Sequence, residues 1–152
     1  PEIVVCPTSR EPSGLARSSR NALLSDADRD TFAAVIYQAL TDAKHAWREG
    51  ERNPARLREL MHSKLNAPGV KIEYADLRDP LAWSADSPQR PMERAQALIA
   101  VDIGGVRLID NLRLDEQDKG PAYECGQGGR RRVLRLGRVT HRLQRPFLNF
   151  EF

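Results

Sequence analysis

The spacing of apolar residues changes character several times along this chain, and each change marks a new element. Glu2-Ile3-Val4-Val5-Cys6 is a short β-branched run closed by Pro7, and it reads as a buried strand. A loop rich in Pro, Ser and Gly follows, from Pro7 to about Asn21. Phe32, Val35, Ile36, Ala39, Leu40, Ala43 and Trp47 then recur at helical spacing. Ser25 with Asp28 three residues on is the acidic variant of a capping box, and Asp26 and Asp30 suit the positive end of the helix dipole. Gly50 closes this helix. A second begins at once, with Asn53 as N-cap, Pro54 at the first helical position and an apolar stripe of Leu57, Leu60, Met61 and Leu65. Ala67-Pro68-Gly69 stops it.

The period then drops from about 3.6 to 2. Val70, Ile72 and Tyr74 alternate with Lys71, Glu73 and Ala75, as in a half-buried strand. The stretch from Asp79 to about Arg94 contains three prolines and predicts a loop. Residues 97–103 and 106–112 are strands joined by Gly104-Gly105, a link suited to a type I′ or II′ hairpin because glycine tolerates positive φ. The order predicts an α+β fold, with two helices packed on one face of a small three-stranded antiparallel sheet.

The 152 residues suit one domain, or a smaller domain with an appendage. An apolar fraction of 40% supplies a core, and 30% charged residues predict a soluble protein. No apolar run approaches the roughly 18 residues of a membrane span, so no membrane partner is expected. The opening PEIVVCPT has neither a charged leader nor an initiator methionine, which predicts no secretory signal and points to a fragment or a processed chain. Cys6 and Cys125 make no metal or redox spacing and read as free thiols of a reducing, cytoplasmic compartment. The net charge of +3 hides a division: residues 1–115 carry 16 basic against 17 acidic side chains, and residues 116–152 carry 8 against 4. The positive excess lies in the tail, where Gly126–Arg132 is basic and Phe147, Phe150 and Phe152 are aromatic. It reads either as a poorly ordered extension or as an arm binding an anion or a partner.

One stretch carries candidate chemistry. Residues 14–21, GLARSSRN, put Ser18 and Ser19 between Arg17 and Arg20, just before a helix. Guanidiniums, hydroxyls and the N–H groups of a glycine-containing loop suit phosphate oxygens, although a solvated turn has the same composition. The run PTSREPSGLARSSRN, then IEYADLRDP and ALIAVDIGGVRLIDNLRL, resembles the pantoate–β-alanine ligase (pantothenate synthetase) family over residues 3–115. The family's pattern, close to PT-x-RE-x-DGLA-M-SSRN, is a variant of the KMSKS signature of nucleotidyl-transferring Rossmann enzymes.

The resemblance implies the C-terminal domain of a Rossmann-type ligase, divided as residues 1–24 (end of the Rossmann domain and ATP lid), 25–115 (α+β domain) and 116–152 (tail). It implies an ATP-dependent reaction in which pantoate is activated as a pantoyl-adenylate, pyrophosphate leaves, and β-alanine displaces AMP, with Mg2+ accompanying ATP. Ser18, Ser19 and Arg20 would be phosphate ligands, and Ser9 would touch the adenine side through its backbone. Arg17 stands where the family has methionine; it either reaches a phosphate or points to solvent. Ser13 replaces the Asp of DGLA. The resemblance implies a homodimer for the full enzyme, and an open edge at strand Ile3–Cys6 would favour self-association. The HIGH-like motif and the family's Rossmann domain have no counterpart in the chain. It is therefore expected to supply a lid without any catalytic side chain of its own, and to be inactive alone.

The remaining polar residues read as structure. His45, His62 and His141 show no metal-ligand spacing. Gly126–Gly129 lacks the spacing of a P-loop. Asp76, Asp79 and Asp102 read as strand-end carboxylates on a solvated face, and Trp47 and Trp83 as packing residues. The competing function is a non-catalytic binding or assembly module with a basic C-terminal arm; nucleic acid is not expected as a partner of the main domain.

Overall fold

The computed structural model describes residues 7–31 and 33–116. Phe32, the predicted strand at Glu2–Cys6, the tail beyond Glu116, Cys6, Cys125 and His141 lie outside the described residues. A 3₁₀ turn at Ser19–Leu23 leads into helix α1, Asp26–Thr31, and helix α2, Ala33–Arg48. Helix α3, Pro54–Leu65, precedes strands β1, Val70–Arg78, β2, Gln96–Ile103, and β3, Val106–Arg113. The sheet order is β1-β2-β3, antiparallel throughout. Helix α2 meets α3, β2 and β3, while α3 meets β1, so both helices cover one face of the sheet. The α+β architecture is the predicted one.

Local signals account for the element ends. Ser25 Oγ accepts the Asp28 N–H at 3.1 Å, and its hydroxyl donates to the Asp28 carboxylate at 2.6 Å. Ser25 thus caps α1 through the N3 amide, and Asp28 binds back to the capping hydroxyl and not to the Ser25 N–H of a full capping box. At the end of α2 the Gly50 N–H donates to Trp47 O and the Glu51 N–H to Ala46 O, the paired bonds of a Schellman motif. Asn53 caps α3 by accepting the Ala55 N–H at 2.9 Å, with Pro54 next in line. Gly104 and Gly105 have φ of 60° and 82°, the two left-handed positions that a type I′ hairpin requires.

The core lies between the helices and the inner sheet face. Ile36, Leu40, Leu57, Met61, Leu65, Ile99 and Ile103 are fully buried in one cluster. Trp47 joins them at 4% exposure, its ring covered by the Arg52 guanidinium 4.2 Å from the centroid. Four predicted positions differ. Trp83 is 55% exposed in the 79–94 loop, with φ of 45°, and does not pack in the core. Leu60 is 42% exposed, because the buried face of α3 is narrower than the apolar stripe suggests. In β1 the alternation inverts: Tyr74 is exposed and Ala75 buried. The register shifts between Ile72 and Tyr74, and the extra residue of that bulge turns every later side chain to the other face.

Asp76 is not the solvated carboxylate its position suggests. Arg58 (3.4 Å) and Arg78 (2.6 Å) pair with it, and the Ser87 hydroxyl donates to it. These contacts tie α3 and the long loop to the edge strand. Burial pushes the Asp76 carboxyl up, but Ser87, Arg78 and the Leu77 N–H together hold it below the usual carboxylate range. A carboxyl whose pKa is lowered by folding stabilises the fold above its unfolded value, near pH 4, and loses that contribution as the pH falls through the folded value. Urea midpoints should therefore fall on acidification below about pH 4. An Asp76→Asn variant should show a shallower fall over that window, and an identical slope would remove Asp76 from the account.

Candidate functional site

Residues 9–17 fold back on themselves as a tight hairpin. The Arg17 N–H donates to Ser9 O and the Glu11 N–H to Leu15 O, with an antiparallel bridge between Arg10 and Ala16. The tip is Pro12-Ser13, closed by the Gly14 N–H on Glu11 O at 2.9 Å, and Gly14 itself takes φ of 92°. Proline preset for the first turn position, followed by glycine where φ is positive, explains why these residues turn here.

Two anchors fasten the hairpin to the domain. Arg10 forms a fork with the Asp110 carboxylate of β3, at 2.5 and 3.1 Å. Its guanidinium also donates to Gly14 O at 3.0 Å and lies 4.1 Å from the centroid of the Tyr37 ring of α2. The second anchor is Asn21, 3% exposed, whose amide donates to Glu11 Oε1 at 2.8 Å and to Ala16 O at 3.0 Å. The Asn21 carbonyl in turn accepts from the Arg29 guanidinium of α1.

Between the anchors lie the residues singled out by sequence. Arg17, Ser18, Ser19 and Arg20 are consecutive and exposed, and Ser9 is exposed on the opposite strand of the hairpin. Arg17 Nε donates to Arg10 O at 3.2 Å, so its side chain runs back along the hairpin backbone. Ser18 Oγ accepts the Arg20 N–H at 3.2 Å and caps the 3₁₀ turn. Among the described residues the Arg20 guanidinium has no hydrogen-bond or ion-pair partner. The hairpin thus presents a cationic, hydroxyl-rich rim to solvent.

Five residues of this assembly were not singled out by sequence: Arg10, Glu11, Asn21, Tyr37 and Asp110. One signal was available. Asp110 shares its strand parity with Val106 and Leu108, so a carboxylate stands at an inward position, where it needs a cation. The partner, 100 residues away, has no local signature.

Among the described residues no group of three His, Cys, Asp or Glu is placed to hold a metal ion, and no helix is long and apolar enough to cross a membrane. His45 and His62 are exposed on α2 and α3. A surface cavity of about 670 Å³ between the end of α2 and α3, lined by Glu49, Glu51, Arg56 and Glu59, shares no residue with the hairpin.

The model of the pantoate-beta-alanine ligase family matches residues 1–113, which include the hairpin, both anchors and the whole sheet. The chain belongs to that family. A bifunctional pantoate ligase/cytidylate kinase of Gloeobacter violaceus is 44% identical over 117 residues, covering 75% of this chain and 22% of the relative. A pantothenate synthetase of Geobacter sulfurreducens is 40% identical over 116 residues, 76% of this chain and 40% of the relative. The crystal structure of pantothenate synthetase from Thermus thermophilus superposes with a TM-score of 0.66 at 31% identity, over 74% of this chain and 40% of that one. The chain therefore spans about two fifths of the pantothenate synthetases it matches. In this family member the first anchor joins motifs far apart in sequence: Arg10 belongs to PTSRE and Asp110 to GGVRLIDN.

Proposed function

We propose that this chain is the C-terminal part of an ATP-dependent pantoate–β-alanine ligase and that its hairpin closes over the phosphates of ATP. The observation that carries the reading is the exposed run Arg17-Ser18-Ser19-Arg20, held between two buried anchors inside the matched region. Arg20 has a guanidinium uncommitted among the described residues, so phosphate can take it without breaking a contact. Ser18 and Ser19 add directional hydroxyl donors, and Arg17 adds a second positive charge beside them. Ser9 is exposed across the hairpin, where its backbone would meet the base.

In the full reaction ATP activates the pantoate carboxylate as an adenylate, and the β-alanine amine then displaces AMP. The hairpin contributes placement and positive charge while pyrophosphate departs; no side chain here acts as nucleophile. Mg2+ arrives with the nucleotide, since the described residues offer no cluster for it. The Rossmann part of the enzyme supplies the remaining contacts, the full enzyme works as a homodimer, and the chain alone does not turn over.

Calorimetric titration of Mg-ATP into the chain and into an Arg20→Ala variant tests this. Loss of a charge-assisted bond worth about 1.5–3 kcal/mol should weaken binding by about 10–100-fold. If the chain alone gives no heat, the same comparison is made after joining it to the Rossmann part of the Thermus thermophilus relative, following ligation of pantoate with β-alanine. Equal activity with and without Arg20 would sink the reading.

A further inference from the structure

Arg10 is the most heavily engaged side chain of the hairpin, although it lies outside the exposed run. One guanidinium meets three elements: the Gly14 carbonyl at the hairpin tip, the Tyr37 ring of α2 and the Asp110 carboxylate of β3. The pair is largely withdrawn from solvent, with side chains 16% and 4% exposed. Gly14 lies so close to Tyr37 that a Cβ on it would come 2.5 Å from the ring. A two-point fork fixes both the direction and the rotation of the guanidinium, which a single ammonium contact does not. Removing one partner leaves the other charge buried and uncompensated. The Tyr37 ring packs against the guanidinium from a further side. By contrast, the side chains of the exposed segment 17–20 make only two hydrogen bonds among the described residues, one donated by Arg17 Nε and one accepted by Ser18 Oγ.

We infer that Arg10, Tyr37 and Asp110 form a strut that sets the position of residues 17–20, making all three positioning residues for the nucleotide-binding loop. The inference rests on the reading of that loop as a phosphate lid. A loop already held in its working place loses less freedom when it meets its ligand. The strut thus acts on affinity for the nucleotide and not on the chemical step. Glu11 and Asn21 hold the other end, so the exposed run is suspended between two fixed points.

Hydrogen–deuterium exchange on the full chain, with no nucleotide present, separates the strut from the lid reading. The amides of Glu11, Gly14 and Arg17, which close the hairpin, are compared with those of Ile99 and Val101 in β2. Asp110→Asn and Tyr37→Leu should each speed the hairpin amides by about ten-fold or more while leaving the β2 amides unchanged. Tyr37→Leu keeps the ion pair and gives an independent reading if Asp110→Asn folds poorly. Arg10→Lys, which keeps the charge and loses the fork, should fall between wild type and Asp110→Asn. Unchanged hairpin exchange, or equal acceleration of hairpin and β2, would overturn the strut. In the fused enzyme, Asp110→Asn should raise KM for ATP by about ten-fold with kcat within two-fold. A loosened hairpin with unchanged KM would overturn the positioning role. If Arg20→Ala leaves ATP use intact, the phosphate reading fails, and the exchange comparison still decides the strut.

Discussion

Replacing Leu40 by alanine is expected to lower the stability of this domain by about 3 kcal/mol. Leu40 is completely buried on α2, in the cluster that includes Leu57, Met61 and Ile99. Truncation loses the transfer free energy of the removed carbons and leaves a cavity that packed helices and strands fill only in part. For a domain of about 100 residues, with a total stability of about 5–15 kcal/mol, that loss is severe. The melting temperature should drop by about 12–24 °C, at 4–8 °C for each kcal/mol. Ile109, 54% exposed on the outer sheet face, is the control. Its alanine variant should stay within about 0.5 kcal/mol of wild type. Urea unfolding of the two variants checks the pair. Similar losses at both positions would mean that the core is not centred between helices and sheet.

Gly14→Ala should cost about 2–5 kcal/mol, and should do so locally. At φ of 92° an alanine pays about 1–2 kcal/mol for the left-handed backbone. Its Cβ would also sit 2.5 Å from Tyr37 Cδ1, adding overpacking of about 1–3 kcal/mol. The ring belongs to a buried-core helix, so the hairpin is the part that yields. It can relieve the clash by lifting away from Tyr37, which loosens the stacked Arg10. Gly105→Ala isolates the backbone contribution, because φ there is 82° and nothing lies within 4 Å. The prediction is a larger loss at Gly14 than at Gly105, with amide exchange opening at Glu11 and Arg17 before the strands open. Global loosening with a protected hairpin would contradict it.

Much of the fold was legible because it is locally encoded. The Ser25 cap of α1, the Asn53-Pro54 start of α3 and the Gly104-Gly105 hairpin all fall where their residues predict. What failed was non-local. The bulge near Glu73 carries no proline or glycine, so the change of face at Tyr74 and Ala75 is invisible without the pairing partner. Trp83 reads as a packing residue because large aromatics usually are, but it stays 55% exposed while Met92 of the same loop reaches the core. Asp76 reads as a solvated carboxylate because Arg58 and Ser87 reach it from α3 and the long loop, and only Arg78 is close in sequence. At the candidate site the exposed rim was legible from composition and motif. The buried framework behind it was not, apart from the misplaced charge at Asp110, because ion pairing across 100 residues leaves no spacing to read.

That same separation has a consequence during synthesis. Arg10 leaves the ribosome 100 residues ahead of Asp110. At about 5–20 residues per second, the arginine waits about 5–20 s for its carboxylate. Throughout that interval the hairpin can close its own backbone bonds but has no β3 to fasten to. The hairpin is therefore the first part of the described domain to be made, and its tie to β3 is among the last to form. A chain stopped before residue 110 would carry every residue of GLARSSRN and the Asn21 anchor, and still lack the carboxylate that ties Arg10 to the sheet.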